Sequence, residues 1–173
     1  MKKFLFIDLE TTGLAPIGNK ILEYAMIITD DKLNELESYS TAVHVSDYDL
    51  QGMSHWCETT HSASGLIDDV KKSQKTIDKV EKEVLDILAD HFSGPKQPVV
   101  AGNSVHFDKS FISMHMPNLN KRLHYRIIDV SSFKEALGIY SNLEYTSRPT
   151  AHRALADIRD SIYYLKNYLE RFK

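Results

Sequence analysis

A chain of 173 residues lies within the ~100–200 residues of a single domain and is long enough to bury a sizeable core. Hydrophobic residues at 42% and charged residues at 26% exclude disorder, collagen-like repeats and coiled coil. With 24 acidic against 21 basic residues, a formal charge of −3, the chain lacks the broad positive field that grips long duplexes, so any nucleic-acid substrate is expected to be short or held locally.

Lys2-Lys3 precede Phe4-Leu5-Phe6-Ile7, a run too brief for a signal-peptide core or a bilayer span, so neither secretion nor membrane insertion is expected. The same four residues read as a buried, central strand that runs into the polar turn Asp8-Leu9-Glu10-Thr11-Thr12-Gly13. Ile21 to Thr29 and Leu36 to Val45 carry β-branched and aromatic residues and are split by Asp30-Asp31-Lys32-Leu33-Asn34, the pattern of an antiparallel meander. Cys57 is the only cysteine, which excludes an intrachain disulfide and a four-cysteine zinc site and fits a reducing cytoplasm. The period then changes: Ile77, Val80, Val84, Leu88 and His91-Phe92 predict a helix over roughly residues 76 to 92, stopped by Gly94-Pro95. Pro98 to Gly102 predicts a short buried strand, Lys109 to His115 a short helix, and Arg126 to Val130 a last strand before a helix from Ser131. Ser141 to Ala151 is the loosest stretch. Leu155, Ile158, Ile162, Leu165, Leu169 and Phe172 recur at helical spacing and predict a long amphipathic helix. Residues 1–173 thus read as one α/β domain, a mixed five-stranded sheet flanked by helices.

Asp8 and Glu10 are two apart on an extended segment, so both side chains point to one face and can share a cation. Two adjacent carboxylates repel unless a metal or a proton separates them; otherwise they would mark only the solvated end of a strand. Asp108 follows the strand-to-turn stretch Ala101-Gly102-Asn103-Ser104, where a carboxylate by itself equally serves as a helix cap. His152 and Asp157 are five apart at the start of the last helix, with Asp157 off the apolar stripe; one imidazole among eight is by itself a surface group. As a set, Asp8, Glu10, Asp108 and Asp157 are hard oxygen ligands that suit Mg²⁺ or Mn²⁺ better than zinc. Two such ions and one imidazole of near-neutral pKa are the inventory of phosphodiester hydrolysis. Spacing alone leaves open whether the four acids converge.

Phe6-Ile7-Asp8-Leu9-Glu10-Thr11-Thr12-Gly13-Leu14, the segment from Gly102-Asn103-Ser104 to Asp108, and His152 with Asp157 resemble the three exonuclease motifs of the DEDDh superfamily, whose fold is ribonuclease H-like. Within it the chain is most similar to the oligoribonuclease family, on His61-Ser62-Ala63-Ser64-Gly65-Leu66, Met116-Pro117, and His124-Tyr125-Arg126 followed by Asp129-Val130-Ser131. The resemblance covers nearly the full length. It implies a 3′-to-5′ exoribonuclease acting on very short RNA, chiefly dinucleotides with a 5′-phosphate, and yielding 5′-mononucleotides. Asp8, Glu10, Asp108 and Asp157 would hold two divalent cations, Mg²⁺ or Mn²⁺, and His152 would be the general base. Leu14 and Trp56 would flank the bases, Trp56 as a stacking face; apart from the resemblance, Trp56 could equally be core. His61 would border the substrate. Ser104, Arg126, Ser131 and Ser132 would close on the 5′-phosphate, which suits a guanidinium's charge-assisted bonds, and Tyr125 would reach the partner's site in a homodimer.

Four features depart from the family pattern: Thr11, His106-Phe107 beside Asp108, Ala156 beside Asp157, and a short Ser141 to Ala151 loop. None removes a catalytic group. Three other readings compete. A related exonuclease for longer single-stranded RNA or DNA would use the same acids but would not need the Arg126, Ser131 and Ser132 block. A binding module that has lost catalysis would not need all five active-site groups. A metal phosphatase on small nucleotides would release free phosphate.

Overall fold

The computed structural model describes residues 2–94, 97–141 and 151–171. Five strands form one sheet: β1 (Phe4–Thr11), β2 (Ile21–Thr29), β3 (Glu35–Ala42), β4 (Val100–Gly102) and β5 (Ile127–Asp129). Their order is β3-β2-β1-β4-β5; β1–β2 and β2–β3 pair antiparallel, β1–β4 and β4–β5 parallel. The expected meander and central first strand are both present.

The period-2 alternation of β1 divides the interior into two layers. Leu5, Ile7 and Leu9 join Tyr24, Met26 and Ile28 of β2 beneath α4 (Ile77–His91) and α5 (His106–His115), whose Val80, Val84, Leu88, Phe111 and Ile112 are buried against them. Phe6 and its β2 neighbours Ala25 and Ile27 face the other way, onto Ala154, Ile158, Ile162, Leu165 and Tyr168 of α8 (Ala154–Glu170). Asp8 and Glu10 continue the alternation of Phe6, so both fall on the α8 side, at the carboxyl end of β1. In open α/β sheets that end is where ligands bind.

The structure shifts several expected limits. β3 ends at Ala42, short of Val45, because the His44 N–H turns away to donate to the carbonyl of Lys75 (2.8 Å). Pro98 lies outside β4, which starts at Val100; a proline has no N–H for a ladder. α5 starts at His106, three residues before the expected Lys109. α7 (Val130–Ser141) begins one residue before Ser131. The Ser141 to Ala151 loop lies mostly outside the described residues, as does Phe172.

Four short helices carry no expected counterpart: α1 (Asp47–Gln51), α2 (His55–Ala63), α3 (Leu66–Lys72) and α6 (Pro117–Arg122). Two of them are capped locally, by the side chains of Ser46 on Asp49 N–H and of Ser54 on Cys57 N–H, which are ordinary N-cap signals. The start of α6 is held from far away instead. The buried Glu81 of α4 accepts the N–H groups of Asn118 (2.7 Å) and Leu119 (2.9 Å), a carboxylate meeting the positive end of a helix. Among the described residues no helix is long and apolar enough to cross a membrane.

β1 and β4 approach closely at Gly102, where an added Cβ would stand 2.8 Å from the Ile7 carbonyl oxygen. That oxygen is backbone and cannot swing aside, and the Val105 side chain stands 3.2 Å from the same position. Gly102→Ala is expected to lower stability by about 1–3 kcal/mol, the usual scale of overpacking, read as a lower urea midpoint at unchanged slope.

Candidate active site

Four carboxylates from three elements meet at the carboxyl end of β1. Asp8 and Glu10 come from the strand itself. Asp108 sits in the first turn of α5, where its Oδ1 accepts the N–H of Leu9 between the two β1 acids (2.9 Å). Asp157 comes from the first turn of α8, and one of its oxygens accepts the N–H of Ala151. His152, at φ +48°, joins them: single ligand atoms of Glu10, His152 and Asp157 all lie within 4.8 Å of one another. All five expected groups are thus brought together.

Their crowding has an electrostatic signature. Burial, and then the charges of Asp108, Glu10 and Asp157, hold the Asp8 carboxyl well above the usual range. Burial, followed by the charges of Asp157 and Glu23, pushes Glu10 up to about 8. Asp108 is raised chiefly by burial, against the pull of the Leu9 N–H, and Asp157 is also raised by burial. The buried Asp157 Oδ1 has no hydrogen-bond partner among the described residues. Repelling hard oxygens with an unpartnered lone pair are what a divalent cation satisfies, so the residues present fit such ions.

Around this centre the structure places the other expected residues unequally. Leu14 (85% exposed) and Trp56 (62% exposed) stand out from the surface, so Trp56 is not core; its ring meets the His152 ring edge-on, with centroids 5.6 Å apart. His61 of α2 is buried, its Nε2 3.0 Å from the Thr11 carbonyl and its Nδ1 3.8 Å from Glu10 Oε2. Because a carbonyl only accepts, Nε2 carries the hydrogen. Burial keeps this imidazole on the low side, so its Nδ1 presents a lone pair toward Glu10. Ser104 and Ser131 are adjacent, with Oγ atoms 3.2 Å apart, and the Ser104 N–H is shared between Ser131 Oγ and Asp129 Oδ1, each at 2.9 Å. Ser132 is exposed on α7. Arg126 does not join the serines within this chain. It precedes the amino end of β5; its backbone N–H donates to His124 Nδ1, and its guanidinium carbon lies 5.2 Å from the ring of Tyr125. Tyr125 is 75% exposed and stacks on His124.

A family model described as Exonuclease matches residues 5–165. The chain belongs to the exonuclease family. It is 42% identical over 174 residues to an oligoribonuclease of Haemophilus influenzae, covering 99% of this chain and 95% of that protein. It is 40% identical over 169 residues to a probable oligoribonuclease of Dictyostelium discoideum, covering 96% and 88%. Among solved structures it resembles an exonuclease I from Methylocaldum szegediense (TM-score 0.73, 19% identity), covering 99% of this chain and 41% of that one. A 3′-exonuclease described as recognising a histone mRNA stem-loop gives a TM-score of 0.66 at 17% identity, covering 98% and 64%. The chain spans about two-fifths of the exonuclease I structure it matches. These neighbours establish the ribonuclease H-like fold, and with the curated relatives the chain is a nuclease hydrolase of the 3′-to-5′ exoribonuclease type.

Sequence reasoning about this exonuclease missed two residues at the site's edge, Glu23 and Asp129. Glu23 stands directly opposite Glu10 in the β1–β2 register; its signal was a carboxylate inside the apolar run of β2. Asp129 organises the serine pair, accepting the N–H groups of Ser104 and Ser131 and pairing with His106 at 3.3 Å.

In the metal-free exonuclease, folded Glu10 keeps a proton that the unfolded chain releases near the ordinary value of 4.5. Its contribution to stability is therefore complete below that value and is lost as pH rises through about 8. Thermal midpoints recorded with chelator should fall with pH across this window. Midpoints recorded with Mn²⁺ should be higher, and the gap should widen toward pH 8, because the cation binds the ionised carboxylates of the folded state only.

Proposed function

We propose that the chain is a single exonuclease domain that hydrolyses short oligoribonucleotides, chiefly 5′-phosphorylated dinucleotides, from the 3′ end to 5′-mononucleotides. The convergence of four carboxylates and His152 at the carboxyl end of β1 carries this reading, supported by the oligoribonuclease relatives.

Asp8, Glu10, Asp108 and Asp157 would hold two divalent cations, Mg²⁺ or Mn²⁺. When bound, these ions supply positive charge to the scissile phosphate and to the departing oxygen and make water more acidic. His152 takes the proton of the attacking water on an imidazole nitrogen. The phosphorus–oxygen bond to the 3′-oxygen breaks, that oxygen leaves with a proton, and the 5′-phosphate stays on the released mononucleotide. Leu14 and Trp56 flank the bases, a stacked aromatic being worth ~1–3 kcal/mol per base, and His61 borders the same pocket. Ser104, Ser131 and Ser132 face the 5′-phosphate. Arg126 and Tyr125 complete that cap in a homodimer, Tyr125 from the partner subunit, in keeping with their exposed ridge. A cytoplasmic setting accords with a single, buried cysteine.

One observation favours a second reading, an exonuclease for longer single-stranded RNA or DNA: among the described residues the Arg126 guanidinium lies over the Tyr125 ring and makes no hydrogen bond to the serine pair. Turnover of a 5′-phosphorylated diribonucleotide against a seven-nucleotide RNA, with Mg²⁺, Mn²⁺ or chelator, decides. Metal-dependent cleavage strongly favouring the dinucleotide is expected; equal or better cleavage of the longer strand would install the second reading.

His152→Ala should lower kcat by roughly 10²–10⁴-fold, the scale of a lost general base, with unchanged circular dichroism. Arg126→Ala should raise KM for the 5′-phosphorylated dinucleotide by roughly 10- to 100-fold, the loss of one charged hydrogen bond. It should do little to the dinucleotide lacking that phosphate, so an equal loss on both would remove Arg126 from the cap.

A further inference from the structure

We propose that Arg153 is a positioning residue that ties the start of α8, with His152 and Asp157, to the α2–α3 segment, with Trp56 and His61; this rests on the roles given above to His152 and Trp56. Arg153 makes three kinds of contact. Its Nη2 lies 3.1 Å from Glu23 Oε1, and its Nε lies 3.3 Å from both Glu23 oxygens. The same Nη2 lies 3.0 Å from Asp69 Oδ2 of α3, and Nη1 donates to the carbonyl of Ser64, between α2 and α3, at 3.4 Å. One planar fork therefore joins β2, α3 and the α2–α3 turn, a geometry that a lysine's single ammonium does not reproduce.

The grip on Glu23 reaches the base through the backbone. Glu23, whose side chain is 3% exposed, accepts the Ala154 N–H (2.9 Å) as well as the guanidinium. It thus holds the two residues that follow His152. His152 itself occupies φ +48°, a left-handed conformation that a residue with a Cβ keeps only where its surroundings over-determine it. Glu23 acts as a fifth carboxylate against Glu10, Asp8 and Asp157, and the Arg153 charge offsets part of that repulsion at Glu10. At its other end, the fork anchors the segment whose Trp56 ring meets the His152 ring.

The two anchors separate by experiment. Glu23→Gln frees the base side and should lower kcat on the dinucleotide by about 10- to 100-fold, the cost of a misplaced reacting group, with KM within about threefold. Asp69→Asn frees the Trp56 side and should raise KM by about 5- to 10-fold with kcat within about twofold. Trp56 is the only tryptophan, so emission anisotropy and acrylamide quenching report its mobility without any substrate; both should register greater freedom in Asp69→Asn. Arg153→Lys keeps the charge but not the fork and should show both defects. The proposal is overturned if Glu23→Gln and Asp69→Asn shift only the thermal midpoint while kcat, KM and Trp56 emission match the unsubstituted chain. It is equally overturned if Arg153→Lys is indistinguishable from that chain. If the unsubstituted chain leaves RNA intact, the functional reading fails, while the Trp56 measurements still decide the clamp.

Discussion

Four carboxylates brought into one half-buried space repel each other, and the rest of the site follows from that repulsion. Burial raises all four acids, and at Asp8 and Glu10 the charges of the others add to it. A fold that assembles such a cluster holds it by other interactions, because the cluster opposes its own assembly in the absence of cations. The buried Asp157 Oδ1 without a partner is the same constraint expressed at one atom.

The holding forces are the two apolar layers and a set of backbone amides. Leu5, Ile7 and Leu9 on one face and Phe6 on the other lock β1 in register, which leaves Asp8 and Glu10 no choice of side. The Leu9 N–H then fixes Asp108, while the Ala151 N–H supports Asp157. Asp108 and Asp157 are thus each oriented by a neutral donor, and Asp157 keeps Oδ1 for a cation. The same economy recurs beside the serine pair, where Asp129 is satisfied by the N–H groups of Ser104 and Ser131.

The groups proposed to face substrate obey a different logic from the acids. Leu14, Trp56 and Tyr125 are large side chains left in water, unlike the acids. Arg126 shares the Tyr125 ridge, its guanidinium carbon 5.2 Å from that ring.

Local patterns made the main elements legible: period-2 runs gave the strands, the 3.6 period gave α4 and α8, and the alternation after Phe6 put Asp8 and Glu10 on one side. The motif residues around Asp8, Asp108 and His152 identified the chemistry because residue type and spacing suffice to name ligands. Convergence lay beyond local reading. Asp108 reaches β1 across 99 residues, α6 has its first amides taken up by the distant Glu81 of α4, and Trp56 stands outside the core although its residue type alone leaves burial open. Glu23 and Arg153 read as an acid in a strand and a base beside a histidine; their contact spans 130 positions. Hydrophobic period and ligand type are properties of neighbouring residues, and the sequence by itself determined those. Which charges meet depends on how the layers close over the sheet, and only the tertiary structure decided that.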